Sequence, residues 1–202
     1  MKIMWNVLCW TRYAAIELNA KFVYYMENLA DKLTNRRRPE DLYSCYFLFE
    51  DGIRGHDTRS DKVYNMLDLV IEFINEAKES IDMCFYLITD YSIVEALVSA
   101  KERNVKVRII TDYTSGILNN KFAKYFYKER FPVYIKMSNP GHTIMHHKFA
   151  IKDGNTVFQC SMNLTKNTTK GSYDNVLISR VQQDVKPFIE HLELLTKTFK
   201  RT

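Results

Sequence analysis

The stretch His146-His147-Lys148-Phe149-Ala150-Ile151-Lys152-Asp153-Gly154-Asn155-Thr156-Val157-Phe158-Gln159-Cys160-Ser161-Met162-Asn163 reads as two short strands, His147 to Lys152 and Thr156 to Gln159, joined by a tight turn. The Asp-Gly pair inside the turn is a strong hairpin signal, because both residue types tolerate the positive φ that a two-residue turn demands. Side chains two apart on a strand point the same way, so His146 and Lys148 share a face, and Ser161 and Asn163 share a parity. An imidazole beside a fixed ammonium suits phosphate chemistry. The lysine neutralises nonbridging oxygens while the histidine attacks phosphorus or transfers a proton, with no metal or cofactor required. A single His or Lys in a strand is ordinary; the joint spacing carries the weight.

Upstream, Val63, Leu67, Val70, Ile71 and Ile74 recur at helical spacing and predict an amphipathic helix over Lys62 to Glu79. A strand over Ile81 to Ile88, a helix over Ser92 to Arg103 and a strand over Val105 to Thr111, ending at Asp112, follow. This alternation predicts an α/β sheet with parallel strands, and chemistry in such sheets collects at strand ends. A helix over Asn119 to Arg130 and a strand over Phe131 to Met137 lead to the turn Ser138-Asn139-Pro140-Gly141. Beyond the hairpin, Asp174 to Arg180 reads as a strand and Asp184 to Lys200 as a closing helix. At the other end, Tyr43 to Phe49 is strand-like and is followed by a polar loop through Gly52, Gly55 and Asp57. Residues 1–42 are expected to form an N-terminal helical segment and linker, and residues 43–202 the main domain. Tyr13 to Leu29 has the pattern of an amphipathic helix that docks on the domain or lies on a membrane. Charged residues interrupt it too often for a span, and no cleavage site marks a signal peptide.

With 202 residues, 46% hydrophobic and 26% charged, the chain has room for one ordinary globular domain with a short appendage. Net charge is +5, unevenly placed: residues 1–100 hold 11 Lys and Arg against 16 Asp and Glu, whereas residues 101–202 hold 18 against 8. A polyanion would therefore meet the second half, where Lys121, Lys124, Lys128, Arg130, Lys166 and Lys170 flank the hairpin. The four cysteines are scattered without a C-x-x-C pair, which fits a reducing compartment and argues against a disulfide framework or zinc ribbon. Cys84 sits in an apolar run as a small hydrophobe. Cys45 and His56 are two candidate metal ligands lacking an evident second pair. Within His142, His146 and His147 a shared ion is disfavoured, because adjacent strand residues face opposite sides.

The spacing H-x-K-x4-D, met by His146, Lys148 and Asp153, followed by Cys160-Ser161-Met162-Asn163 where the pattern has Gly-Ser-x-Asn, resembles the phospholipase D superfamily and its HKD motif. The segment from Val63 onward, about two-thirds of the chain, is similar to the single-motif branch that contains a bacterial endonuclease and the Zucchini-type mitochondrial endonucleases, also called mitochondrial cardiolipin hydrolases. The resemblance implies a mixed sheet flanked by helices, with one HKD motif per chain and an active site at a homodimer interface. It implies that His146 is the nucleophile forming a phosphohistidine, that Lys148 and Asn163 hold phosphate, that Ser161 is the motif serine, and that Asp153 braces the hairpin. Where the family usually has a glutamate that orients the histidine, this chain has Asp174. Cys160 replaces the motif glycine, which often serves close backbone approach.

The resemblance implies metal-independent cleavage of single-stranded RNA, of the small-RNA (piRNA) pathway type, with Tyr125, Tyr127 and Tyr173 as candidate stacking residues. Hydrolysis of an anionic phospholipid such as cardiolipin at a membrane surface is the alternative within the same chemistry. A catalytically inactive nucleic-acid-binding scaffold is the alternative outside it, motivated by Cys160 and Asp174. Proton delivery to the leaving oxygen needs a second positioned group, so two chains are expected to pair and bring two copies of His146 together. The resemblance places the protein on the cytosolic face of the mitochondrial outer membrane.

Overall fold

The computed structural model describes residues 43–49, 52–56, 66–115, 125–126, 128–137, 143–169 and 172–201, all within the unit Leu42–Thr202. The helix expected over Tyr13 to Leu29 and the linker after it lie outside the described residues.

Among the described residues, nine strands form one mixed sheet in the order β2-β1-β8-β7-β6-β3-β4-β5-β9. They are β1 (Tyr43–Phe49), β2 (Gly52–His56), β3 (Ser80–Phe85), β4 (Lys106–Asp112), β5 (Val133–Lys136), β6 (Lys148–Lys152), β7 (Thr156–Cys160), β8 (Asn175–Ser179) and β9 (Lys200–Arg201). Among the described residues, three helices pack on it: α1 (Met66–Asn75), α2 (Tyr91–Glu102) and α3 (Gln182–Thr198). β3, β4 and β5 run parallel, the expected product of helix-strand alternation, while β6, β7, β8, β1 and β2 continue as antiparallel neighbours. β3 is the switch, pairing parallel with β4 and antiparallel with β6.

The helices cover opposite faces. α1 buries Met66, Leu67, Leu69, Val70, Phe73 and Ile74 and joins α2 in the larger core, which includes Ile81, Met83, Ile109 and Phe158. α3 buries Val185, Leu192 and Leu195 in a second core with Cys84, Ile110, Phe149, Ile151 and Val157. Strand residues alternate between these two sets, as the two-residue period requires. α2 starts where Asp90 accepts a hydrogen bond from the Ser92 N–H (2.9 Å), so a capping carboxylate satisfies an otherwise orphan donor.

Two local expectations are corrected. Gly52 to His56 is not a loop: it pairs with β1 from Cys45↔His56 to Phe49↔Gly52, because a hairpin edge satisfies backbone groups whatever the polarity of the sequence. The closing helix ends at Thr198, and Lys200–Arg201 then adds a strand to β5. The hairpin turn is as the Asp-Gly pair demands, with φ of 52° at Asp153 and 61° at Gly154.

Candidate active site

The ladder between β3 and β6 stops at Phe85↔Lys148, so His146 lies ahead of the strand, correcting the reading that starts the strand at His147. Two other contacts fix its course. The Met145 N–H donates to Asp112 Oδ2 (2.7 Å), and the His147 carbonyl accepts from the Tyr86 N–H (3.0 Å). His146 and Lys148 still meet: Lys148 Nζ lies 3.1 and 3.2 Å from the two ring nitrogens of His146 and donates to its carbonyl at 3.0 Å. The Tyr86 ring packs against the imidazole with centroids 5.0 Å apart. Burial lowers the affinity of Lys148 for its proton, with Cys160 and Asp174 pulling the other way.

Ser161 and Asn163 also lie beyond their strand, which ends at Cys160, and they take separate partners rather than acting as one parity pair. Ser161 Oγ donates to Asp174 Oδ1 (2.6 Å) and accepts from the Asn175 N–H (3.1 Å). Ser172 Oγ donates to Asp174 Oδ2 (2.6 Å), so both carboxylate oxygens of Asp174 are engaged by serines. Lys148, rather than Asp174, is the charged group against the His146 ring. The Asn163 carbonyl accepts from Thr168 Oγ1 (2.6 Å), whereas its side-chain Oδ1 is buried with no hydrogen-bond partner among the described residues. A buried amide oxygen in that state is a group available to a ligand.

Asp153 stands apart from these residues, at the far end of β6. Its carboxylate accepts from the N–H groups of Lys78 (3.1 Å), Glu79 (2.7 Å) and Ser80 (3.0 Å) and so ties the hairpin to the start of β3. Burial opposes its charge, but these donors and Lys152 hold the carboxyl below the usual carboxylate range.

Cys160 sits in extended backbone at the end of β7, opposite Val176 of β8, a conformation open to any residue. Its thiol is buried, contacts the Met162 carbonyl at 3.5 Å, and is pushed by burial up to about 12, so it stays neutral at physiological pH. The concern raised by the missing glycine is thus not one of backbone strain here. His147 turns away from His146 toward α3, where its Nε2 lies 2.9 Å from Nε2 of His191. Burial first, then the charges of His191, Lys148 and His146, hold His147 below the usual histidine range. His142 lies outside the described residues. Cys45 and His56 are directly opposed across β1 and β2, yet no cluster of three or more His, Cys, Asp or Glu that could hold a metal exists among the described residues.

A cleft of about 360 Å³ brings His146, Lys148, Cys160 and Ser161 together with His147 and His191. His146, Lys148 and Ser161 line one part, and Phe149, Pro187 and Phe188 give it an apolar wall. The family described as "Cardiolipin synthase, PLD-like domain" matches residues 70–196, from within α1 to within α3, a range that includes β3 to β8 and His146, Lys148, Asp153, Ser161, Asn163 and Asp174. The chain belongs to the phospholipase D superfamily. That class is one of phosphodiester hydrolases. Similar proteins include "Mitochondrial cardiolipin hydrolase" of Danio rerio, 29% identical over 59% of this chain and 52% of its own length. "Phospholipase D" of Rickettsia conorii is 34% identical over 58% of each chain. The chain thus spans little more than half the length of these curated relatives. Among solved structures, the phospholipase D family member Nuc from Salmonella typhimurium is 28% identical with a TM-score of 0.59, covering 67% of this chain and 89% of that one.

Within this phospholipase D fold, sequence reasoning missed Tyr86, Asp112 and His191. Asp112 carries the clearest signal, since it ends a parallel strand at the edge where α/β sheets gather their chemistry. The Thr111 hydroxyl donates to the Tyr86 carbonyl (3.1 Å), linking the two positions that steer the His146 segment. Burial would raise the Asp112 carboxyl, but hydrogen bonds from Thr114 and Met145, with Lys136 nearby, hold it below the usual carboxylate range. Of the stacking candidates, Tyr173 is 68% exposed and adjoins Asp174, Tyr125 packs edge-on against Tyr91 (5.8 Å), and Tyr127 lies outside the described residues. Lys128 and Lys166 are exposed and Arg130 is exposed at a positive φ of 53°, while Lys121, Lys124 and Lys170 lie outside the described residues.

Proposed function

We propose that this protein hydrolyses a phosphodiester of an anionic phospholipid, cardiolipin or a relative of it, through a phosphohistidine. The observation that carries this reading is the cleft lined both by the polar pair His146–Lys148 and by the apolar side chains of Phe149, Pro187 and Phe188. A ligand that matches it carries its negative charge next to apolar matter. The name of the Danio rerio relative supports the same substrate class and a mitochondrial place of action. Among the described residues no helix is long and apolar enough to cross a membrane.

In the proposed reaction a ring nitrogen of His146 attacks phosphorus, the bond to the leaving oxygen breaks, and that oxygen takes a proton. Water then attacks the phosphorus and the P–N bond breaks, returning the imidazole. Lys148 Nζ and the Asn163 side chain hold the nonbridging oxygens, where charge grows in the transition state. Ser161, fixed by Asp174, borders the same opening. A second chain supplies the acid, a second His146 across a twofold axis.

A second reading, cleavage of single-stranded RNA, draws on Tyr173, which at 68% exposure beside Asp174 offers a face for base stacking. Purified protein incubated in excess chelator with cardiolipin vesicles, and separately with labelled single-stranded RNA, decides between them. Release of phosphatidic acid that persists in chelator and disappears in His146→Ala is expected. RNA cutting without lipid hydrolysis would transfer the assignment to the second reading, and RNA binding without cleavage of either substrate would leave a scaffold.

A further inference from the structure

His147 and His191 are joined to the candidate active site but have no part in the proposed reaction. Their Nε2 atoms are 2.9 Å apart, with ring centroids at 4.8 Å and planes at 88°. One nitrogen must carry the shared proton and the other must present its lone pair. Both residues line the cleft shared with His146 and Lys148. Each is held on a rigid support. The His147 carbonyl is tied to the Tyr86 N–H, and its ring packs on Phe149 with centroids 5.9 Å apart. His191 is carried by α3, whose adjacent Leu192 is fully packed in the second core.

We propose that His147 and His191 together bind a divalent transition-metal ion of the copper or zinc type, separate from the phosphate-handling residues. A tetrahedral ion with metal–nitrogen distances of about 2.0–2.1 Å places its two nitrogen ligands roughly 3.3 Å apart. The pair therefore needs to open by only a few tenths of an ångström. The donor imidazole moves its proton from Nε2 to Nδ1, so both rings bind as neutral tautomers and no net proton is lost. Imidazole nitrogen favours copper, zinc and nickel over calcium and magnesium, which seek oxygen. With two protein ligands the remaining positions belong to water, which makes the ion exchangeable and distinguishes it from a structural zinc held by four side chains. The histidines near the motif thus divide by direction: His146 faces the phosphate opening, and His147 faces α3.

The test is titration of the full chain with Cu2+ alone, read by isothermal calorimetry and by the nitrogen hyperfine pattern in electron paramagnetic resonance. The difference between the natural chain and His191→Gln is expected to be one ion per chain with a two-imidazole signature. Loss of a ligand should weaken binding by more than the about 10–100-fold that follows loss of a ligand's hydrogen-bond partner. His147→Ala is expected to match His191→Gln, and His146→Ala to bind as the natural chain does. Taking the difference removes any ion held elsewhere, as at Cys45 and His56. Unchanged binding in His191→Gln, or loss in His146→Ala alone, overturns the proposal. His191→Gln lies on a helix face and keeps a hydrogen-bonding amide, so it decides the matter even if His147→Ala fails to fold.

Discussion

Asp112 acts on the proposed nucleophile through the chain rather than through its ring. Its carboxylate holds the Met145 N–H, one residue before His146, at 2.7 Å. Asp112→Ala frees that donor in a buried place, at an expected stability cost of about 1–3 kcal/mol. It also lets the imidazole drift, and a displacement of an ångström costs about 10²-fold in rate. The expected result is a fall in kcat with KM little changed and an intact circular-dichroism spectrum; a fall confined to KM would remove Asp112 from this role. Cys160 makes a contrasting case. Because its backbone is extended and its thiol is buried, Cys160→Gly is expected to lower stability by about 1–2 kcal/mol without raising activity, the sum of lost packing and a more flexible unfolded chain. Thermal melts and initial rates check both halves. The pattern His146, Lys148, Asp153, Ser161 and Asn163 was legible in the sequence because spacing alone records it. Their partners were recorded less well: Tyr86 and Asp112 approach through sheet pairing between segments far apart in the chain, and Asp174, placed by the motif spacing, meets Ser161 rather than the His146 ring.

At the scale of elements, β6 is held at both ends. The Tyr86 N–H grips the His147 carbonyl at one end, and Asp153 takes three N–H groups of residues 78–80 at the other. A slip of one residue would send Lys148, with every other β6 side chain, to the opposite face of the sheet, so Asp153 protects the parity of a residue about 17 Å away along the strand. Asp153→Asn replaces an accepting oxygen by a donor and is expected to cost about 1–3 kcal/mol at neutral pH. The folded-state carboxyl lies below its usual value near 3.8, so the stabilisation is fully present above that value and is lost as pH falls through the lower, folded-state one. The stability gap between the natural chain and Asp153→Asn should therefore narrow below about pH 4 in denaturant titrations. A gap that stays constant down to the most acid conditions would exclude the brace. The helices and most strands were legible because long runs of apolar residues keep one period. β2 and β9 were not, because edge strands are chosen by a neighbour's free backbone groups, and their own side chains carry little record of it.

At the scale of the whole molecule, a reaction that needs two copies of His146 makes the proposed unit a pair of chains. Mixing natural chains with His146→Ala chains under exchange distinguishes the cases. If both histidines are needed, activity follows the square of the natural fraction, because only pairs of natural chains work; a straight-line decline would mean each chain acts alone. The sheet order has one more consequence. Since β3 joins a parallel half to an antiparallel half, the groups that steer the motif residues, Tyr86, Asp112 and Asp174, come from strand ends outside the hairpin stretch, which therefore does not contain its own supports. Catalytic competence is then a reporter of completed folding. Recovery of activity after dilution from denaturant should lag behind the recovery of helix and coincide with the last long-range strand pairing, a slow class of event because distant segments must first be brought together.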